Sequence, residues 1–302
     1  MNLVGLLKQS NLMKRIFLIL FIMSFYHVFS QEKIVKRYDN GNIQYEGFVV
    51  NNTLDSIYKE YYSNGVLKEE GYYKDCQYKF NNKSVYRVVC GVGCEKDNIR
   101  FGKRNGEWKH YYENGKLKSR ANYFCGIEQG NFFYYFENGS ISSIDFYDAG
   151  NLIMSQEYNV NNILEKIIYH ENKFIKGKKY KTTRTVEFYE NGNFKNETIV
   201  EEKEDGHEYE SYKEYFSNGF IKIDQVLIDG DKHGICYEYY ENGNVKQVGF
   251  FEYDKPVFVQ LFYNENGSPM KIERWKKGNL TSTETSFDIK QSFTYNVKKY
   301  KD

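Results

Sequence analysis

The residues best able to do chemistry in this chain are five cysteines, the four histidines beyond residue 30 and a dispersed set of carboxylates. Cys76, Cys90, Cys94 and Cys125 fall within or beside one stretch, whereas Cys236 stands apart. Two chemistries suit such a group. In an oxidising compartment Cys90 and Cys94 would close a small loop, and Cys76 and Cys125 would form a second pair. In a reducing one the four thiolates would hold zinc. The Cys-x₃-Cys spacing with two distant partners is poor for zinc, so disulfides are the better reading and no metal is expected. His110, His170, His207 and His233 never share a metal-ligand spacing such as His-x₃-His and read as structural. The acidic run Glu201-Glu202-Lys203-Glu204-Asp205 lacks the spacing of a calcium loop and reads as a solvated turn. A Gly-x-Ser-x-Gly elbow, a phosphate loop and a dinucleotide fingerprint are all missing. No catalytic set and no cofactor is therefore expected.

Something must still hold these side chains in place, and the elements that do so announce themselves by repetition. Asn-Gly dipeptides occur with asparagines at 40, 64, 114, 138, 191, 218, 242 and 266. Most neighbours are about 24 residues apart, and the two long gaps are close to two periods. Degenerate units are expected near 78–101 and 158–180, with Asp148-Ala149-Gly150 as a further diverged relic of the same turn. The context repeats too: Tyr61-Tyr62-Ser63-Asn64-Gly65-Val66-Leu67-Lys68 is matched by Tyr111-Tyr112-Glu113-Asn114-Gly115-Lys116-Leu117-Lys118 and by Tyr239-Tyr240-Glu241-Asn242-Gly243-Asn244-Val245-Lys246.

Asn-Gly suits a two-residue type I′ turn, in which both central residues need positive φ. Each unit then reads as a β-hairpin with the residue two before Asn facing the residue three after it. That register pairs Tyr62 with Leu67, Tyr112 with Leu117 and Tyr240 with Val245. Six residues before Asn, the same face carries Tyr58, Trp108, Phe132, Tyr212 and Cys236, which makes it the core face. The other face would carry Tyr61, Tyr111, Tyr135, Tyr215 and Tyr239. Lys68, Lys118, Lys222 and Lys246 would lie along these rings, their ammonium groups wet. This Tyr/Lys face is the candidate partner-binding surface. One hairpin alone is marginal in water, so the units must prop each other up. The fold expected is all-β: tandem hairpins of period about 24 in an elongated, twisted antiparallel meander. With aromatics at 18% and 30 tyrosines, a thin sheet is favoured over a thick core. The array would occupy 31–280, with 281–302 as a C-terminal strand or cap.

The amino-terminal stretch reads differently. Lys14-Arg15 precedes an apolar run from Ile16 to Phe25, and Val28-Phe29-Ser30 supplies a cleavage site before Gln31. That is an export signal over residues 1–30, with Met13 as its better start. The expected location is the periplasm, the outer surface or the medium. Removing Lys8, Lys14 and Arg15 and no acid leaves 39 bases against 41 acids. So even a balance gives no footprint for nucleic acid and no polybasic membrane patch.

The aromatic–aromatic–x–Asn-Gly–x–aliphatic–Lys core, with links such as Asn105-Gly106-Glu107-Trp108 and Asp231-Lys232-His233-Gly234, resembles the bacterial MORN-repeat variant family over most of 36–275. The resemblance implies a β-hairpin ribbon used for protein or membrane contacts, and some members are labelled antitoxin- or immunity-like. The function expected is an exported, non-catalytic binding or scaffolding surface for a protein partner at the envelope. An immunity-like role is the alternative, and a hydrolase the remote one.

Overall fold

The computed structural model describes residues 31–50, 53–80, 84–87, 95–96, 99–175, 178–203 and 205–285. Residues 1–30, expected to be an export signal, lie outside these residues, as do Cys90, Cys94 and the chain after 285. The chain divides into two compact units, 1–108 and 109–302. Every regular element among the described residues is a strand.

In the first unit β1 (Glu32–Arg37), β2 (Ile43–Val50), β3 (Thr53–Tyr61) and β4 (Leu67–Lys74) follow one another as antiparallel neighbours. The stretch expected to hold a degenerate unit contains β5 (Gln77–Phe80) and β6 (Ser84–Arg87), which pair as a separate hairpin, then β7 (Glu95–Lys96) and β8 (Ile99–Phe101). β8 runs parallel to β3, with Thr53 opposite Arg100 and Leu54 opposite Phe101. The pure hairpin array expected from the sequence has no parallel pair. The reason is local: β4 covers only Ile57–Tyr61 of β3, and β8 takes up backbone groups that the first half of β3 would otherwise leave open on that side.

The core of this unit is aromatic. Trp108, Leu54, Tyr58 and Tyr45 are almost wholly buried. Tyr73 meets Trp108 edge-on at 4.7 Å and Tyr58 at 5.4 Å, and Phe101 closes the cluster at 5.7 Å from Tyr58. The Arg104 guanidinium lies 4.3 Å over the Trp108 ring, and the indole donates to the Tyr72 carbonyl at 3.1 Å. Gly71 is required here, because a Cβ on it would fall inside the Trp108 ring. β9 (Lys103–Tyr111) then carries the chain into the second unit.

The second unit is a meander: β10 (Leu117–Phe124), β11 (Ile127–Glu128), β12 (Gly130–Tyr135), β13 (Ile141–Asp148), β14 (Asn151–Tyr158), β15 (Leu164–Ile175), β16 (Lys178–Phe188), β17 (Phe194–Glu202), β18 (Glu208–Tyr215), β19 (Ile221–Ile228), β20 (Asp231–Lys232), β21 (Gly234–Tyr239), β22 (Val245–Glu252), β23 (Lys255–Tyr263), β24 (Pro269–Lys276) and β25 (Asn279–Thr285). Pairing is antiparallel throughout, between chain neighbours. The broken strands β11/β12 and β20/β21 each pair with the strand before them. Burial is sparse, with Phe132, Val186, Ile228, Ala121 and Cys236 as its few buried hydrophobic residues. Tandem hairpins in a thin antiparallel meander are what the repeat phase led us to expect.

The turns correct that reading in one respect. At Asn64-Gly65 the Gly65 amide donates to the Tyr62 carbonyl at 2.9 Å, and the Tyr62 amide to the Val66 carbonyl at 2.8 Å. Gly65 has φ +86°, whereas Asn64 is absent from the residues with positive φ. This is a three-residue loop, a type I turn closed by a glycine bulge, and the other seven Asn-Gly loops share its bonds. The two-residue type I′ turns do occur, but at the opposite ends of the hairpins. Cys125-Gly126, Ala149-Gly150, Asp229-Gly230, Tyr253-Asp254 and Lys277-Gly278 all have both φ values positive. Ala149-Gly150 is therefore a regular link and not a worn Asn-Gly turn. The worn turn of the second long gap is Asn161-Asn162, where Asn162 at φ +66° takes the glycine's place.

The longer loop moves the register by one residue. Tyr61 lies opposite Leu67, and Tyr239 opposite Val245, each beside a bulge. The expected pairs Tyr62–Leu67, Tyr112–Leu117 and Tyr240–Val245 are not formed. Tyr62, Tyr112 and Tyr240 close the loops instead, against Val66, Lys116 and Asn244.

Two substitutions test this account. Gly115→Val, at φ +82°, should cost roughly 1–2 kcal/mol and expose the Tyr112 and Lys116 amides to exchange. Gly71→Ala should cost about 1–3 kcal/mol, read as a drop in thermal unfolding temperature with a red shift of Trp108 emission. Unchanged unfolding in either variant would contradict the geometry.

Candidate partner-binding site

The loop asparagine faces two ways. Its Oδ1 accepts from the amide two residues on, at 2.9–3.1 Å, in all eight Asn-Gly loops. In most of them its Nδ2 points away, to the loop of the next hairpin. Asn40 donates to the Ser63 carbonyl at 2.7 Å, Asn191 to Ser217 at 2.9 Å, Asn218 to Glu241 at 2.9 Å and Asn242 to Glu265 at 2.9 Å. The tyrosine two residues before Asn makes a second tie: Tyr38, Tyr112, Tyr189 and Tyr240 donate to the carbonyls of Tyr61, Tyr135, Tyr215 and Tyr263 at 2.6–2.9 Å. These hairpins are thus fastened to their successors at one rim.

Between these ties the face that carries Tyr58, Trp108, Phe132 and Cys236 continues toward the loops through the residue four before Asn. There Glu60, Glu214 and Glu238 receive Lys68, Lys222 and Lys246 at 3.0, 2.7 and 3.3 Å. The Lys118 ammonium likewise sits 5.5 Å over Tyr112. The bulge that follows each loop brings these lysines onto the core face, so they do not lie along Tyr61, Tyr111, Tyr215 and Tyr239. Hydrogen bonding to Glu60 and Glu214 respectively raises the Lys68 and Lys222 ammoniums above the ordinary lysine value. Such half-exposed pairs are worth a few tenths of a kcal/mol each. They fix geometry more than stability.

The predicted Tyr/Lys face is therefore divided. Tyr61 donates to Glu46 at 2.8 Å and is pushed up to about 12, chiefly by burial. Tyr215 meets Phe194 at 5.7 Å, and Tyr239 stacks on Tyr237 at 6.1 Å. Tyr111 and Tyr135 are half-buried at their strand ends. Of the nine candidates, Lys222, Tyr239 and Lys246 come together around one groove of about 520 Å³ in the second unit. Phe216, Ile223 and Tyr240 form its apolar lining, and Glu238, Glu241 and Glu265 its acidic rim. Sequence reasoning assigned Tyr240 to the core and passed over the other five. The signal was there: the residues before Asn at successive loops must converge once the loops are stacked.

The other candidate chemistry is structural. Cys76 and Cys125 are each disulfide-bonded. Cys236 is a buried free thiol whose ionisation burial pushes up. His110 shares a 3.2 Å hydrogen bond with Ser119, and burial pulls His170 down. Among the described residues no group of three His, Cys, Asp or Glu side chains could hold a metal ion. At the rim opposite the Asn-Gly loops, His207 Nδ1 lies 2.5 Å from Asp229 Oδ2. The same carboxylate accepts the Glu208 amide at 3.0 Å through its other oxygen.

These features define a class: a tandem β-hairpin repeat protein whose units are fastened loop to loop. The family model described as MORN repeat variant matches four stretches of the chain, residues 54–75, 104–124, 128–149 and 232–253. No curated protein matches the chain. Among solved structures, TcdB2-TccC3-TEV is 11% identical over 84% of this chain, at a TM-score of 0.19. The chain spans 14% of that structure's length. A porin-like protein from Bacteroides uniformis is 9% identical over 84% of this chain and 94% of its own, at 0.20. A protein of unknown function from Bacteroides fragilis is 10% identical over 47% of this chain and 88% of its own, at 0.18. None of these likenesses reaches the level of a shared fold.

Two measurements follow. Tyr240→Phe, which deletes the bond to Tyr263, should lower stability by about 1 kcal/mol, read in thermal unfolding. His207 should titrate above its ordinary 6.5 because Asp229 hydrogen-bonds it, while the Glu208 amide and His207 hold Asp229 below 3.8. The histidine's contribution is whole below 6.5 and fades as pH rises through its raised value; the aspartate's is whole above 3.8 and fades as pH falls through its lowered one. An NMR titration of His207 that does not move in Asp229→Asn would contradict the pair.

Proposed function

We propose that this protein is an exported, non-catalytic scaffold whose loop-proximal groove binds a protein partner at the cell envelope. The observation that carries the reading is the groove itself. Phe216, Ile223 and Tyr240 offer apolar contact, and ion pairs hold Lys222 and Lys246 in fixed positions beside them. Aromatic anchors ringed by fixed polar groups are the usual composition of a protein-binding hot spot. The Lys222 and Lys246 charges are spent on Glu214 and Glu238, which leaves Glu241 and Glu265 with no ion pair among the described residues. The rim is therefore net acidic, and it suits a partner segment with basic side chains.

The test is affinity capture from envelope extract with wild type and with a Tyr239→Ser/Glu241→Lys/Glu265→Lys variant, whose thermal unfolding should match wild type. A partner recovered by wild type should be lost by the variant, and its binding to wild type should weaken at high salt. Equal recovery by both proteins would remove the groove as the binding site.

A further inference from the structure

Eight of the nine Asn-Gly dipeptides sit in the hairpin loops, and each places an asparagine side-chain amide beside the least hindered backbone nitrogen a protein can offer. We propose that these loops are sites of spontaneous deamidation and that the inter-hairpin hydrogen bonds rank their reactivity, with Asn64 and Asn266 converting first. The reaction needs only water. The glycine nitrogen gives up its proton to solvent and attacks Cγ of the preceding asparagine. A C–N bond forms, the side-chain nitrogen leaves as ammonia, and water opens the resulting cyclic imide to aspartate or isoaspartate.

In the folded loop that step is blocked. The glycine N–H is engaged by the carbonyl three residues before it at 2.8–2.9 Å in each of the eight loops, and Oδ1 is held by the amide two residues on. The loop has to open before the nitrogen can reach Cγ, so the rate follows the local opening equilibrium. The bonds between loops end on backbone carbonyls of the receiving loop, such as Ser63 and Glu265, so what differs is the hold on the asparagine's own side chain, which must turn before the nitrogen can reach its Cγ. Asn40, Asn191 and Asn242 donate Nδ2 to the next loop, and Asn42, Asn193 and Asn244 add a second amide to the same carbonyl at 2.8 Å. Asn138 reaches the Val160 carbonyl at 3.3 Å with Ser140 Oγ beside it at 3.1 Å. Asn218 has one such bond, and Asn114 only a long 3.5 Å contact with a Glu137 carboxylate oxygen. Asn64 and Asn266 make no Nδ2 bond to another loop among the described residues.

Conversion at a latched loop also has a structural consequence. It replaces a donor with an anionic acceptor facing a carbonyl, so the tie between two hairpins turns repulsive. Asn64 and Asn266 donate no such bond, and the bonds their loops receive end on the Ser63 and Glu265 backbone carbonyls, which conversion leaves in place.

The experiment is peptide mapping by mass spectrometry of the folded full chain, aged at neutral pH and sampled over time. A parallel sample is kept unfolded in denaturant. Asn64 and Asn266 should convert about tenfold faster than Asn40, Asn191 and Asn242 in the folded chain, as loss of one or two net hydrogen bonds implies. In denaturant the eight should converge, because each is followed by glycine. Asn244→Ala should speed conversion at Asn242 alone. Equal folded-state rates, a latched asparagine leading, or the same ranking in denaturant would each overturn the proposal.

Discussion

A β-sheet one layer thick has no second layer to pack against, so its hairpins must be held to one another along their edges. In this protein that work falls to a side-chain amide reaching across to a backbone carbonyl. The loop asparagine closes its own turn with Oδ1 and in most loops reaches the next one with Nδ2, while in several the neighbouring tyrosine hydroxyl repeats the contact two residues further from the tip. Neither bond is strong alone. Repeated loop after loop, each removes the freedom of one hairpin to swing about its neighbour, which in a thicker domain would be suppressed by core packing.

The opposite rim is tied by backbone groups. The amides of Gly150, Asp229 and Asp254 donate to carbonyls of the preceding links at Glu128, Glu208 and Lys232. Tight type I′ turns suit this side, since their twist matches the strands they join. The Asn-Gly side uses the longer loop, and the added residue is what presses a lysine onto the core face. The ion pairs of that face, and the groove they border, are thus a consequence of loop type. A two-residue turn at the same dipeptides would have sent those lysines to the other side of the sheet.

The two units differ in how they bury apolar surface. The first gathers Tyr58, Tyr73, Phe101 and Trp108 into one cluster, helped by Gly71 and by a parallel strand that returns from the irregular stretch. The second spreads its few buried residues along the sheet, and its polar members take part: Gln260, almost wholly buried, fills the space above Gly249 and donates to the Phe250 carbonyl at 2.9 Å. Its stability therefore leans on ladder and loop bonds.

The sequence by itself determined the repeat, its phase and its all-β character, because spacing of Asn-Gly and alternation of aromatic residues are local properties. It also marked the core face, since the position six residues before Asn holds Tyr58, Trp108, Phe132 and Cys236 whatever the turn. Turn type was not legible. Asn-Gly is compatible both with a type I′ turn and with a type I turn plus bulge, and the two differ by one residue in every cross-strand partner. Only the tertiary structure decided between them, because the longer loop is the one that frees the asparagine amide to reach its neighbour. The groove was hidden for the same reason: Phe216, Ile223 and Glu265 are far apart in the chain and meet only when successive loops stack.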